Sequence, residues 1–239
     1  MRDAHFSGFH GATRDQWLNA VQVVARQASV LAVTECDGRT FVPDDWHQTR
    51  VKAECQIGWD DSHHYPGPRS DCEGVARLTR AVFYTSKGGR KDGVEMTWVL
   101  LADKSGRTLL RAVAHMPASV QRGDGFSGVA GRVTAWRLAL RGLRREVRRL
   151  SREVRPDEVT VSADFNVDLQ RRHWRAVINT GLRGTGLTVK APGSGTHHAR
   201  AIDAHATTMR REATHVLDAH KGFDHRPVVS VLTRKENKP

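Results

Sequence analysis

The sequence has little cysteine, no long apolar run and a deficit of acidic side chains. Its three cysteines, Cys36, Cys55 and Cys72, form neither an even disulfide set nor a CxxC pair. That excludes a disulfide-stapled scaffold and a cysteine-based zinc site, and points to free thiols in a reducing compartment. No stretch of about 18 apolar residues occurs, and the opening MRDAHFSGFHG has no apolar leader core, so a soluble, cytoplasmic protein without a membrane partner is expected. Against 38 Lys and Arg stand only 26 Asp and Glu, a formal net charge of +12. Such a balance is usual in proteins that meet phosphate-rich partners, nucleic acid foremost.

Internal repeats are also lacking, and 239 residues suit one large domain. We expect it to span 1–233, followed by a flexible tail at 234–239, RKENKP. What is present is an alternation of helix and strand patterns. In TRDQWLNAVQVVARQA, Thr13 and Gln16 are spaced as a capping box, and Trp17, Val21, Val24 and Ala28 share one helical face. The apolar run SVLAVTE follows at once and stops at Glu35. Further strands are expected at 75–84, 94–102, 107–115 and 227–233, with Gly-rich turns such as KGGRKDG between them. Residues 132–155 place Val133, Trp136, Leu140, Leu143, Val147, Leu150 and Val154 on one stripe of a long helix. Arginines fill the remaining faces, either as a solvated exterior or as a surface that attracts phosphate.

The stretch VTVSADFNVDL, residues 159–169, opens with the β-branched run of a buried strand and then sets Asp164 and Asn166 two residues apart. Glu35 and His115 likewise end strand-like runs, and Asp224 with His225 precedes another. Strand ends in an α/β sandwich converge on one edge, so these residues can meet in space.

In order, VTE, AHMP, SADFN, RAID and FDHRPV resemble the signatures of the endonuclease/exonuclease/phosphatase superfamily, over nearly the whole chain. The resemblance implies an α/β fold: a four-layer sandwich of two mixed sheets packed face to face with helices outside. It also implies a metal-dependent phosphodiesterase, here a DNA nuclease acting as a monomer, with Mg²⁺ as cofactor and Mn²⁺ as the alternative. By the same resemblance Glu35 is the principal metal ligand and Asp224 an additional metal-facing carboxylate. Asp164 activates the attacking water, and Asn166 donates to phosphate while holding that Asp. Asp203 pairs with His225, which contacts the phosphate or shares in water activation, and His115 assists the leaving group. Glu73, in EGVARLTR, matches the carboxylate that orients this histidine, and His197, beside His198, matches a substrate-side Thr-His.

The chain departs from the pattern at Ser7, which stands where the family carries an Asn that holds metal and phosphate. A hydroxyl has a shorter reach and lacks the second amide group. The alternatives to a nuclease are therefore a phosphoesterase for a small phosphorylated molecule or lipid headgroup, and a nucleic-acid binder whose catalysis has lapsed.

Overall fold

The computed structural model describes residues 1–7, 13–36, 42–51, 53–64, 72–84, 90–118, 120, 127–218 and 223–234. The glycines expected to turn at 88–89 and the tail beyond Arg234 lie outside the described residues. In chain order the elements are β1 (Arg2–Phe6), α1 (Arg14–Ala25), β2 (Val30–Val33), β3 (His47–Gln48), β4 (Gln56–Trp59), β5 (His63–His64), β6 (Glu73–Tyr84) and β7 (Arg90–Asp103). There follow β8 (Thr108–His115), α2 (Ser127–Val154), β9 (Glu158–Asp164), α3 (Arg172–Gly181), β10 (Thr188–Val189), β11 (Asp203–Thr207), β12 (Arg210–Val216) and β13 (Val228–Thr233).

Two mixed sheets result. One has six strands in the order β12-β13-β1-β2-β4-β3; the other runs β10-β11-β9-β8-β7, with β5 and β6 both paired to β7. The α1 helix starts where its capping box requires: the Gln16 N–H donates to Thr13 Oγ1 at 3.3 Å, and the Thr13 N–H to Gln16 Oε1 at 2.9 Å. Its apolar face, Trp17, Val21 and Val24, packs on Phe6, Leu31 and Val33 of the first sheet. The stripe of α2 packs on the second sheet together with Ile178 of α3. Between the sheets lie Val30, Ala32, Ile57, Val99, Leu101, Leu109 and Val113. The order of layers is thus helix, sheet, sheet, helices, as expected for the four-layer sandwich.

Strand alternation decides which side chains enter the space between the sheets. In β8, Leu110, Ala112 and Ala114 face α2, so Leu109, Arg111, Val113 and His115 face the other sheet. The Arg111 Nη2 donates to Asp3 Oδ1 of β1 at 2.7 Å and to Ser162 Oγ of β9 at 2.6 Å, all fully buried. An ion pair thereby ties the two sheets together. Cys36, Cys55 and Cys72 are buried and none is joined in a disulfide, as expected. Among the described residues no helix is long and apolar enough to cross a membrane.

Candidate active site

The β8–β9 pairing puts His115 opposite Asp164, and the β9–β11 pairing puts Asp164 opposite Asp203. Residues directly opposite on neighbouring strands lie side by side on one face, so register alone sets His115, Asp164 and Asp203 in a row at the sheet's end. Two carboxylates opposed in a buried row repel. Burial, and then the charge of Asp203, push the Asp164 pKa up to about 7, against the pull of His225 and His115. Asp203 is also penalised by burial, but the charge and hydrogen bond of His225, with help from His5, hold it well below the usual carboxylate range.

The row is completed from the facing sheet and the loops. His225 Nδ1–H donates to Asp203 Oδ2 at 2.8 Å. Burial lowers the His225 pKa, but Asp203 above all, then Asp164 and Asp224, raise it to about 10, so the ring is cationic at neutral pH. At the other end of the row, His115 Nδ1–H donates to Glu54 Oε1 at 2.8 Å. Its Nε2 faces Glu35 Oε1 at 3.7 Å and Asp164 Oδ2 at 3.8 Å. Burial opposes charge on His115 too, but Glu54, Glu35 and Asp164 outweigh it and raise the pKa to about 9. Glu54, despite its own burial penalty, is held at about 2 by His115 and Lys91.

Backbone geometry aims the acceptors. Glu35 (φ 61°) and Asn166 (φ 54°) adopt left-handed conformations that non-glycine residues rarely take, a strain typical of functional turns. The Asn166 N–H donates to Asp164 Oδ1 at 2.8 Å, leaving Oδ2 as the free oxygen, and its side-chain amide donates to the Met116 carbonyl at 2.8 Å. Behind this segment the Trp136 indole N–H donates to the Phe165 carbonyl at 2.8 Å, so α2 braces the chain between Asp164 and Asn166.

Two sequence expectations need correction, those for Ser7 and Glu73. Ser7 is buried, and its hydroxyl donates to Asp203 Oδ1 at 2.8 Å while accepting from Thr34 Oγ1 at 2.6 Å. Its one proton is committed, so it positions Asp203 and has nothing left to donate to a substrate. Glu73 does not orient His115: its carboxylate accepts the Arg50 backbone N–H at 3.2 and 3.3 Å, and Glu54 holds the histidine instead. Asp224 is more than half exposed, and the His197 Nε2 lies 3.5 Å from its Oδ2. Ligand atoms of His197, Asp224 and His225 gather in one cluster and those of Asp164, Asp203 and His225 in another, and Glu35 belongs to neither. His197 keeps a place beside the row, with its ring 4.7 Å from that of His225 and its Nδ1 accepting from Arg200 at 3.1 Å.

Glu54 and His5 escape a reading of strand ends. Glu54 precedes the short run QIGW, and β4 pairs antiparallel with β2, so a carboxylate just before β4 lies across from Glu35, just after β2. His5 sits inside β1, fully buried, where its Nε2–H reaches Asp203 Oδ1 at 3.2 Å and Ser7 Oγ at 3.0 Å. Its signal was the histidine among apolar neighbours, two residues before Ser7 on the same strand face.

No family model matches the sequence, and no curated protein matches it. Solved structures do. A mannosyl-6-phosphatase of Bacteroides thetaiotaomicron is similar with a TM-score of 0.66 at 16% identity, over 98% of this chain and 99% of that one. The catalytic domain of human Nocturnin, with bound sulfate, gives 0.67 at 14% identity over 98% and 93%. An endonuclease/exonuclease/phosphatase family protein of Bacteroides thetaiotaomicron gives 0.67 at 14% over 100% and 96%. The likeness is one of fold: this chain has the same four-layer sandwich as these proteins.

Proposed function

We propose that the protein hydrolyses phosphodiesters with a divalent metal ion, and that its substrate is nucleic acid, DNA foremost. The observation that carries this reading is the buried row of His115, Asp164 and Asp203, with cationic His225 bonded to its far end. Such a row is unfavourable for folding and useful for moving protons.

The donor set suits a hard ion. Glu35 faces His115 Nε2 at 3.7 Å at one end of the row and Asp224 gathers with His197 and His225 at the other, so carboxylate oxygens, the donors such an ion prefers, border it on both sides. Glu35 would hold the ion, Mg²⁺ or in its place Mn²⁺, with Asp224 as a further carboxylate donor. When bound it supplies charge neutralisation at the phosphate.

The protein's own groups account for the proton movements. Asp164, with a pKa of about 7, is poised to take a proton from an attacking water through its free Oδ2. His115, protonated below about pH 9 and fixed through Nδ1 by Glu54, presents Nε2–H to a departing oxygen. His225, kept cationic by Asp203, has Nε2–H to donate to a phosphate oxygen. The second amide hydrogen of Asn166 is available for the same purpose.

Phosphomonoester hydrolysis is the second reading, favoured by the likeness in fold to a mannosyl-6-phosphatase. The net charge of +12 favours the polymer. Labelled DNA and RNA, bis(p-nitrophenyl) phosphate and p-nitrophenyl phosphate, each with Mg²⁺, Mn²⁺ or EDTA, separate the cases. We expect cleavage of DNA and the diester that EDTA abolishes. Turnover of the monoester alone would select the second reading, and DNA binding with no hydrolysis would select a lapsed enzyme.

A further inference from the structure

The outer face of α2 carries charge that the fold uses only in part. Arg141, Arg144, Arg145, Arg148 and Arg152 line a groove of about 350 Å³. A second groove of about 540 Å³ shares Arg141 and Arg145 and continues onto β6, where Arg77 and Arg80 flank Leu78, with Leu138 of α2 beside them. Among the described residues, no carboxylate lines either groove. Arg77 is paired with Glu95 and Arg145 with Glu146. Among the described residues, Arg80, Arg141, Arg144, Arg148 and Arg152 have no ion-pair partner.

These positions work against the helix. Arg141 and Arg145, Arg144 and Arg148, and Arg148 and Arg152 are like charges four residues apart, which lie side by side on a helix and destabilise it. A polyanion laid along the face would relieve that repulsion. Two further observations decide which polyanion. The apolar stripe of α2 is fully engaged in the core, so the helix has no apolar face to insert into a membrane surface. The groove also begins within about one and a half helical turns of the site's brace: Arg141 lies five residues beyond Trp136, about 7.5 Å along the axis, and the Trp136 indole holds the Phe165 carbonyl between Asp164 and Asn166.

We propose that the continuous basic groove of α2 and β6 is a secondary binding track for the phosphate backbone of a nucleic acid, engaging the strand away from the bond being cut. Its purpose rests on the phosphodiesterase reading, but its binding does not.

The test replaces Arg141, Arg144, Arg148 and Arg152 together by Gln, a comparably good helix former, which removes like-charge repulsion and should leave the fold intact. Binding of a labelled oligonucleotide is measured in EDTA across a salt series. Each phosphate contact contributes roughly 0.7–0.9 to the slope of log affinity against log salt, so the variant's slope should fall by about 3 and its affinity at moderate salt by at least about tenfold. Its turnover of bis(p-nitrophenyl) phosphate should equal that of the unaltered protein. An unchanged slope overturns the track, as does loss of binding to phosphatidylserine vesicles with oligonucleotide binding intact. Failure of the function reading looks different: a slope that depends on these arginines in a protein that hydrolyses no phosphodiester.

Discussion

Glu54 decides which nitrogen of His115 faces Glu35 and Asp164. By accepting Nδ1–H at 2.8 Å it leaves Nε2 toward Glu35 and Asp164 and keeps the ring protonated up to about pH 9. Glu54→Gln should therefore weaken the acid without emptying the position. We expect roughly a 10–100-fold loss on DNA, whose leaving oxygen needs a proton, and little loss on bis(p-nitrophenyl) phosphate, whose leaving group does not. Equal losses on both substrates would place His115 elsewhere in the mechanism. His225 gives a pH signature in the metal-free protein. Its folded pKa of about 10 lies above the ~6.5 of an unfolded histidine, so the stability it contributes is complete below about pH 6.5 and is lost as pH rises toward 10. Urea unfolding in EDTA should show stability falling over that range, and His225→Gln should flatten the fall. Glu35, His115, Asp164 and Asn166 were legible because each ends a β-branched or apolar run. Glu54 and His5 were not, because their roles come from pairing between distant strands.

α2 is the element that joins core, site and surface. Its stripe was legible from spacing over 132–155, and the helix extends a little further toward its N-terminus, over Ser127–Val154. Gly142 marks a close approach to β6, since a Cβ there would meet the Leu78 carbonyl oxygen at 1.9 Å. Gly142→Ala gains helix propensity but must push α2 off the sheet. The clash wins, and we expect a net loss of about 1–3 kcal/mol in chemical denaturation; a stabilised variant would contradict the packing described. The neighbouring α3 gave little warning. Its N-cap, Arg171, makes no side-chain cap bond, and its ten residues RHWRAVINTG include the β-branched Val177, Ile178 and Thr180. β12, RREATHV, hid for a different reason: it is an edge strand with no fully buried residue, so no apolar run announces it.

At the scale of the whole molecule, the space between the sheets is part hydrocarbon and part polar network. Asp3, Arg111, Ser162 and His205 fill one end of it, and Asp203, His5 and Ser7 continue toward the site. The layer order followed from the alternation of patterns and the resemblance in motifs. The buried ion pair did not, because Asp3 and Arg111 are 108 residues apart and each reads alone as a surface charge. A polar interior of this kind holds carboxylates and histidines at fixed spacing while water is excluded, the condition under which their pKa values diverge. In the proposed mechanism Asp164, lifted to a pKa of about 7 in that setting, activates the water that cleaves a phosphodiester. Asp164→Asn conserves volume and removes the repulsion with Asp203, so the protein should fold at least as well. Single-turnover cleavage of end-labelled DNA in Mg²⁺ should slow by about 10²-fold or more, with binding in EDTA unchanged. Cleavage by the variant at the unaltered rate would contradict the account.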